Sequence, residues 1–291
     1  MNTDFNEKTG KDEEHFSLKR IIVRFFGFVL SLSMMISCSS AGHIFASGDL
    51  AAIGEKSYVK ISEAIAAAGE NDTVKLLPRA DGSPIYGCYT VSGKKNITID
   101  LNEATIEYKG TNNYLLKIEN SSVTIKNGTL NLQNAGSAVA VSGNSNVIFE
   151  NVTIKTSGRG VFVQSAGDTY IKVNSDTVIA SEKPSFYLGS EDAAENITLD
   201  IFGKINSEKA SAIYNISKGK VKINLHGGSE IKAADVGIYN KESGFSLEMY
   251  GGLISGGTGI HSIGGKLTIR GGHISATGSK GEAPNTGCAV S

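Results

Sequence analysis

Eight polar side chains recur at a nearly constant interval and hold most of the chemistry this chain can offer: Asn102, Lys126, Glu150, Asn174, Asp200, His226, Tyr250 and Arg270. If each stands on one rung of a stacked sheet, Asp200 and His226 are neighbours. Glu150 and Asp200, two rungs apart, then have backbones separated by roughly 9.6 Å. That is near the separation at which inverting glycosidases hold a general acid and a general base across a water. In this reading Glu150 and Asp200 are the catalytic pair, and His226 and Arg270 bind a uronate. The plainer reading, which the mixed charges favour, is a solvated ladder that keeps the surface soluble and the register fixed. A second outward set, Tyr214, Tyr239 and His261, also falls one per unit. With Arg270 these are the candidate ligand-binding residues, because aromatic rings can stack on sugars. Phe162 in the same place shows that ordinary surface packing accounts for the set equally well.

The elements that must position these residues are legible from apolar periodicity. Leu101, Ile125, Phe149, Val173, Leu199, Leu225, Met249 and Ile269 form one row, at steps of 24, 24, 24, 26, 26, 24 and 20 residues. Two places earlier stand Ile99, Val123, Val147, Ile171, Ile197, Ile223, Leu247 and Leu267. Five or six places later come Ile106, Leu130, Ile154, Val178, Ile205, Ile231, Ile254 and Ile274. Self-similarity at this period means stacked units rather than one globular core. Turn residues follow the first strand, as in Asn127-Gly128, Gly227-Gly228 and Gly251-Gly252, and these tolerate left-handed backbone. A third strand opens with a small residue before Val or Ile: Ala138-Val139, Gly160-Val161, Ala212-Ile213, Gly237-Ile238, Gly259-Ile260 and Ala289-Val290. Three strands and three bends per unit predict an all-β fold, a right-handed parallel β-helix of about eight coils over 96–291. A left-handed helix would need a strict six-residue beat, which is missing. The last third strand stops at Ser291, an apparent end in mid-coil.

Residues 47–95 read as an N-terminal cap. Val59, Ile61, Ala64, Ile65 and Ala68 fall at helical spacing and predict a short amphipathic helix over 57–68. Strands follow at Thr73-Val74-Lys75-Leu76-Leu77 and from Cys88 to Val91. The run "YVKISEAIAAAGENDTVKLLP" followed by "YTVSGKKNITIDLNEATI" resembles the entry to pectin-lyase-like right-handed parallel β-helices. That group includes pectin methylesterases, pectate lyases and bacterial surface proteins. The resemblance implies a helix capping the open end. For the enzymes of the group it also implies clefts walled by long loops, and here the segments between strands are short. The paired-Asp, Gly-His-Gly and Arg-Ile-Lys signatures of polygalacturonases and the Trp-Ile-Asp-His run of pectate lyases are missing as well.

Residues 1–46 read as a polar leader and an export signal. Lys19, Arg20 and Arg24 precede an apolar run over 25–36, followed by small residues. Met35-Ile36-Ser37-Cys38 resembles a lipoprotein processing site, which makes Cys38 a candidate for lipidation; cleavage near Ala41 or Ala46 is the alternative. Membrane contact is expected only through this segment. With Lys+Arg 28 against Asp+Glu 29, no basic face is implied, and nucleic acid is not an expected partner. Three cysteines make no disulfide framework or zinc motif, so Cys88 and Cys288 are read as small buried hydrophobes, and neither a metal nor another cofactor is expected. The Ala283-Pro284-Asn285-Thr286-Gly287 run resembles a sorting signal but sits in a bend. The expected function is an exported, adhesin-like or glycan-binding surface module without catalysis. The alternatives are a lyase or hydrolase of uronate-containing polysaccharides, and a structural spacer or fragment of a longer surface protein.

Overall fold

The computed structural model describes residues 48–164, 167–190, 196–278 and 288–291. The polar leader, the apolar run 25–36, Cys38 and the Ala283-to-Gly287 run lie outside them.

The described chain winds as a parallel β-helix with three sheet faces. One coil shows the pattern: Ser145–Thr156 crosses faces 1 and 2, and Arg159–Gln164 forms face 3. Along it, alternate side chains turn inward, as the strand period of two requires. Val147 and Phe149 on face 1, Ile154 on face 2, and Val161 and Val163 on face 3 are all fully buried. Val147 lies between Val123 and Ile171 on the neighbouring rungs, so the aliphatic rows are piled in register. Face 1 runs from Thr73–Leu76 to Lys266–Ile269, and face 2 from Ile85–Tyr86 to His273–Ala276. Face 3 runs from Tyr89–Ser92 to Thr258–Ser262, with a further bridge between Ile260 and Val290. All successive rungs pair in parallel, giving about eight turns.

Register is what alternation leaves open. The spacing places Leu199 beside Val173 and Leu101 beside Ile125. In the structure Leu199 pairs with Ile171, Ile201 with Val173, and Ile99 with Ile125. Each slip is two residues, and a two-residue slip keeps every inward side chain inward, so periodicity cannot detect it. A one-residue error occurs on face 2. There Ile179, fully buried, pairs with Ile154, while Val178 is half-exposed opposite Thr153. Two adjacent β-branched residues gave the pattern no preference.

The small residue that opens face 3 has a steric cause. A Cβ on Gly237 would stand 2.4 Å from the Gly259 carbonyl oxygen and 2.5 Å from Ile254 Cγ2. On that rung the corner therefore closes over glycine alone.

Parallel winding begins at Thr73, which pairs with Thr98. Before it, Ala51–Ile53 and Lys56–Tyr58 form an antiparallel hairpin turned at Gly54 (φ 57), and Ala51–Ile53 also pairs antiparallel with Thr73–Leu76. The hairpin takes Ser57 and Tyr58 away from the predicted helix. The helix (α1) is Ile61–Ala67, and Val59 is exposed ahead of it. Ile61, Ala64 and Ile65 of α1 join the core. Lys94 Nζ donates to the Ala66 and Ala68 carbonyls, both at 2.8 Å, and satisfies acceptors at the helix end. The cysteines differ from expectation: Cys288 is exposed, and half-buried Cys88 accepts a hydrogen bond on Sγ from Asn112 Nδ2 at 2.7 Å.

Candidate functional site

Face 1 carries two outward rows. One runs Lys172, Asp200, Asn224, Glu248 and Thr268 on successive rungs. In the other, Asp100, Lys126 and Glu150 pair in sequence, and its later part stacks Phe202, His226 and Tyr250. The two-residue slip thus moves Asp200 out of the row that contains Glu150. With two rungs and two residues between them, their backbones are about 12 Å apart. That is wider than the gap the pair needs for inverting chemistry. Asp200 instead meets His226 diagonally, Oδ1 to Nε2 at 3.8 Å.

Asp200 is the centre of a polar knot. Tyr170 donates its hydroxyl to Oδ2 at 2.7 Å, and Asn224 Nδ2 donates to Oδ1 at 2.6 Å. Burial pushes the carboxyl pKa up, but these two hydrogen bonds and the nearby His226 outweigh it, so Asp200 is held below the usual carboxylate range. Burial together with the bond to Asp200 pushes the Tyr170 hydroxyl up to about 12. Near neutral pH, Asp200 is therefore a carboxylate and Tyr170 keeps its proton. A general acid needs a pKa near the working pH, and neither group has one.

His226 lies parallel to Phe202 (centroids 3.9 Å apart, planes at 5°) and to Tyr250 (5.6 Å, 18°). Lys172 stands over Phe202 and Arg270 over Tyr250, so a cation closes each end of this short aromatic stack. Tyr250 donates its hydroxyl to Glu248.

Face 3 carries a longer ladder. Phe162, Tyr187, Tyr214, Tyr239 and His261 occupy one outward row on consecutive rungs. Tyr187, Tyr214, Tyr239 and His261 stack with centroids 5.3, 4.9 and 5.1 Å apart, and the Tyr214 and Tyr239 planes differ by only 5°. Phe162 meets Tyr187 edge-on, with the Arg159 guanidinium over both rings. The structure thus brings together Tyr214, Tyr239 and His261 and adds Tyr187, which sequence reasoning missed. Arg270 belongs to face 1 instead. The ring faces are spent on one another, and only edges and hydroxyls turn outward. A sugar ring cannot lie flat on the middle of such a stack.

Sequence reasoning also missed a polar groove at the corner between faces 3 and 1. Its volume is about 490 Å³, and it crosses four rungs, lined by Glu70, Lys94–Asn96, Asn120–Ser122, Asn144–Asn146, Asp168 and Tyr170. Asn120, Asn144 and Asp168 recur at the same 24-residue step as the core rows, which is the signal that could have revealed it. They form a ladder of their own: Asn144 N donates to Asn120 Oδ1 at 3.2 Å, and Asp168 N donates to Asn144 Oδ1 at 2.9 Å. Among the described residues no three His, Cys, Asp or Glu side chains converge as a metal cage.

No protein-family model, no curated protein and no solved structure matches this chain.

Proposed function

We propose that this chain is an exported, cell-surface parallel β-helix, akin to the pectin-lyase-like group, that binds a glycan chain lengthwise without cleaving it. The observation that carries the reading is the corner groove. It follows the helix axis over four rungs, roughly 14 Å at strand spacing, and is lined by amides, hydroxyls, two lysines, two carboxylates (Glu70 and Asp168) and one tyrosine. Such groups exchange hydrogen bonds with sugar hydroxyls, and a straight groove suits a repeating polymer. The ionised Asp200 and the short segments between strands favour holding over hydrolysis, since a cleavage site must desolvate and orient its bond. The basic flank and apolar run ahead of the fold support export, and an adhesin-like role follows from export plus glycan binding.

A glycan array on the purified protein, run beside reducing-sugar and unsaturated-uronate assays, tests this. The expected result is binding to one glycan class, lowered at least tenfold by Lys95→Ala with Asn146→Ala, and no released product. Turnover that Asp200→Asn abolishes would replace this reading with the enzyme reading.

A further inference from the structure

We propose that Asp200, Asn224 and His226 form a site for one divalent transition-metal ion of the zinc class on the outer side of face 1. His226 Nε2 is a buried polar atom with no hydrogen-bond partner, and it faces the Asp200 carboxylate. Buried polar atoms are nearly always satisfied, and an exception calls for a cause such as an ion.

The geometry fits one. His226 Nε2 and Asp200 Oδ1 are 3.8 Å apart, too far for a hydrogen bond. Zinc takes nitrogen and oxygen ligands at about 2.0–2.2 Å, so two tetrahedral ligands stand about 3.4 Å apart. A closure of a few tenths of an ångström would place both atoms on one ion. Asn224 is next to the same point, its Nδ2 lying 2.6 Å from Asp200 Oδ1. In the metal-free protein that hydrogen bond fixes the amide; when the ion binds, a rotation of the amide exchanges it for a bond from Oδ1 to the ion, a third ligand. The donor set is then one imidazole nitrogen and two oxygens, with the remaining position left to water or to an oxygen of a bound molecule. Imidazole selects zinc, copper or nickel over calcium and magnesium, which prefer oxygen donors alone.

The surroundings hold these ligands in place. Phe202 and Tyr250 sandwich the imidazole and fix its plane. Tyr170 engages the other carboxylate oxygen, Oδ2, and so orients Asp200 with Oδ1 toward His226. Partners of this kind orient ligands in established metal sites.

The test is calorimetric titration of the full chain with zinc, beside imidazole NMR during addition of substoichiometric copper. The expected result is one zinc ion whose Kd rises at least tenfold in His226→Gln and in Asp200→Asn, less in Asn224→Ala, and not in Lys95→Ala. Millimolar calcium should not displace it. Copper should broaden the His226 resonances before those of the other four histidines, a readout that needs no variant to fold. Zinc binding unchanged in both His226→Gln and Asp200→Asn, or copper broadening another histidine first, would overturn the proposal. So would the absence of any zinc binding.

Discussion

Coils three and four turn from face 1 to face 2 at Asn127 (φ 57) and Asn151 (φ 53), single left-handed residues inside otherwise continuous strands. The last three coils make the same corner at Gly227-Gly228, Gly251-Gly252 and Gly271-Gly272, where the second glycine has φ between 85 and 96. The asparagine corners are stapled to one another: Asn151 Nδ2 donates to Asn127 Oδ1, and Asn127 Nδ2 to Asp100 Oδ1, each at 3.2 Å. Glycine corners cannot be. The late coils gain their outward ladders from rings instead, on face 3 and on face 1. Both regions have the same buried aliphatic rows. The inward rows thus set the winding, while corners and outward rows are free to change chemistry from one coil to the next.

If that division is right, losses in the core should be large and similar in the two regions. Phe149→Ala in the early coils should cost about 3–5 kcal/mol, and Leu247→Ala in the late coils about 2–5 kcal/mol. Denaturant melts of the two variants check this, and a loss below about 1 kcal/mol in either would break the equivalence. The corners should then separate the regions. Asn151→Ala removes the amide staple and leaves a Cβ residue at positive φ, for an expected loss of about 1–3 kcal/mol. Asn151→Gly should lose less, because glycine takes that φ freely. Gly252→Ala should be at least as damaging as Asn151→Ala, since its Cβ would stand 2.3 Å from Ser229 Oγ.

Much of this was legible in the chain itself. The inward rows, the small residue opening face 3 and the turn residues are all fixed by local sterics and burial, and each leaves a one-letter trace. What was not legible depends on which residue lies opposite which. The position of Asp200 turned on a two-residue slip that no alternation pattern can resolve, and that of Ile179 on two adjacent apolar residues, either of which could face inward. The hairpin over residues 51–58 was hidden because its pairing is to the first coil, and tertiary pairing overrode the local helical spacing at Ser57 and Tyr58. Tyr187 follows Phe186, which stands where the other units have Val or Ile, so it escaped the aromatic row.

Smaller effects should come from the outward ladders. Tyr239→Leu breaks two ring contacts and should cost about 1–3 kcal/mol in total, with the same substitution at isolated, exposed Tyr86 costing far less. The acid–base response should also localise to face 1. Asp200 has a depressed pKa in the fold, so its contribution is present above about pH 4 and is lost as pH falls through the folded value. Asp200→Asn should flatten the acid limb of a stability–pH profile. Tyr170, raised to about 12, works at the other extreme. Its contribution is full below about pH 10 and is lost as pH rises toward the folded value, so Tyr170→Phe should flatten the alkaline limb.

Cross-linking of paired cysteines across one rung of face 1, in a chain with Cys38, Cys88 and Cys288 changed to serine, reads the stacking directly. Lys172 and Asp200 are opposite each other, close enough for a disulfide, whereas Asn174 and Asp200 are offset by two residues and about 8 Å apart, beyond its reach. Rapid oxidation of Lys172→Cys with Asp200→Cys, and little of Asn174→Cys with Asp200→Cys, is the expected result. The reverse order would contradict the register on which the rows, the ladders and the Asp200 cluster all rest.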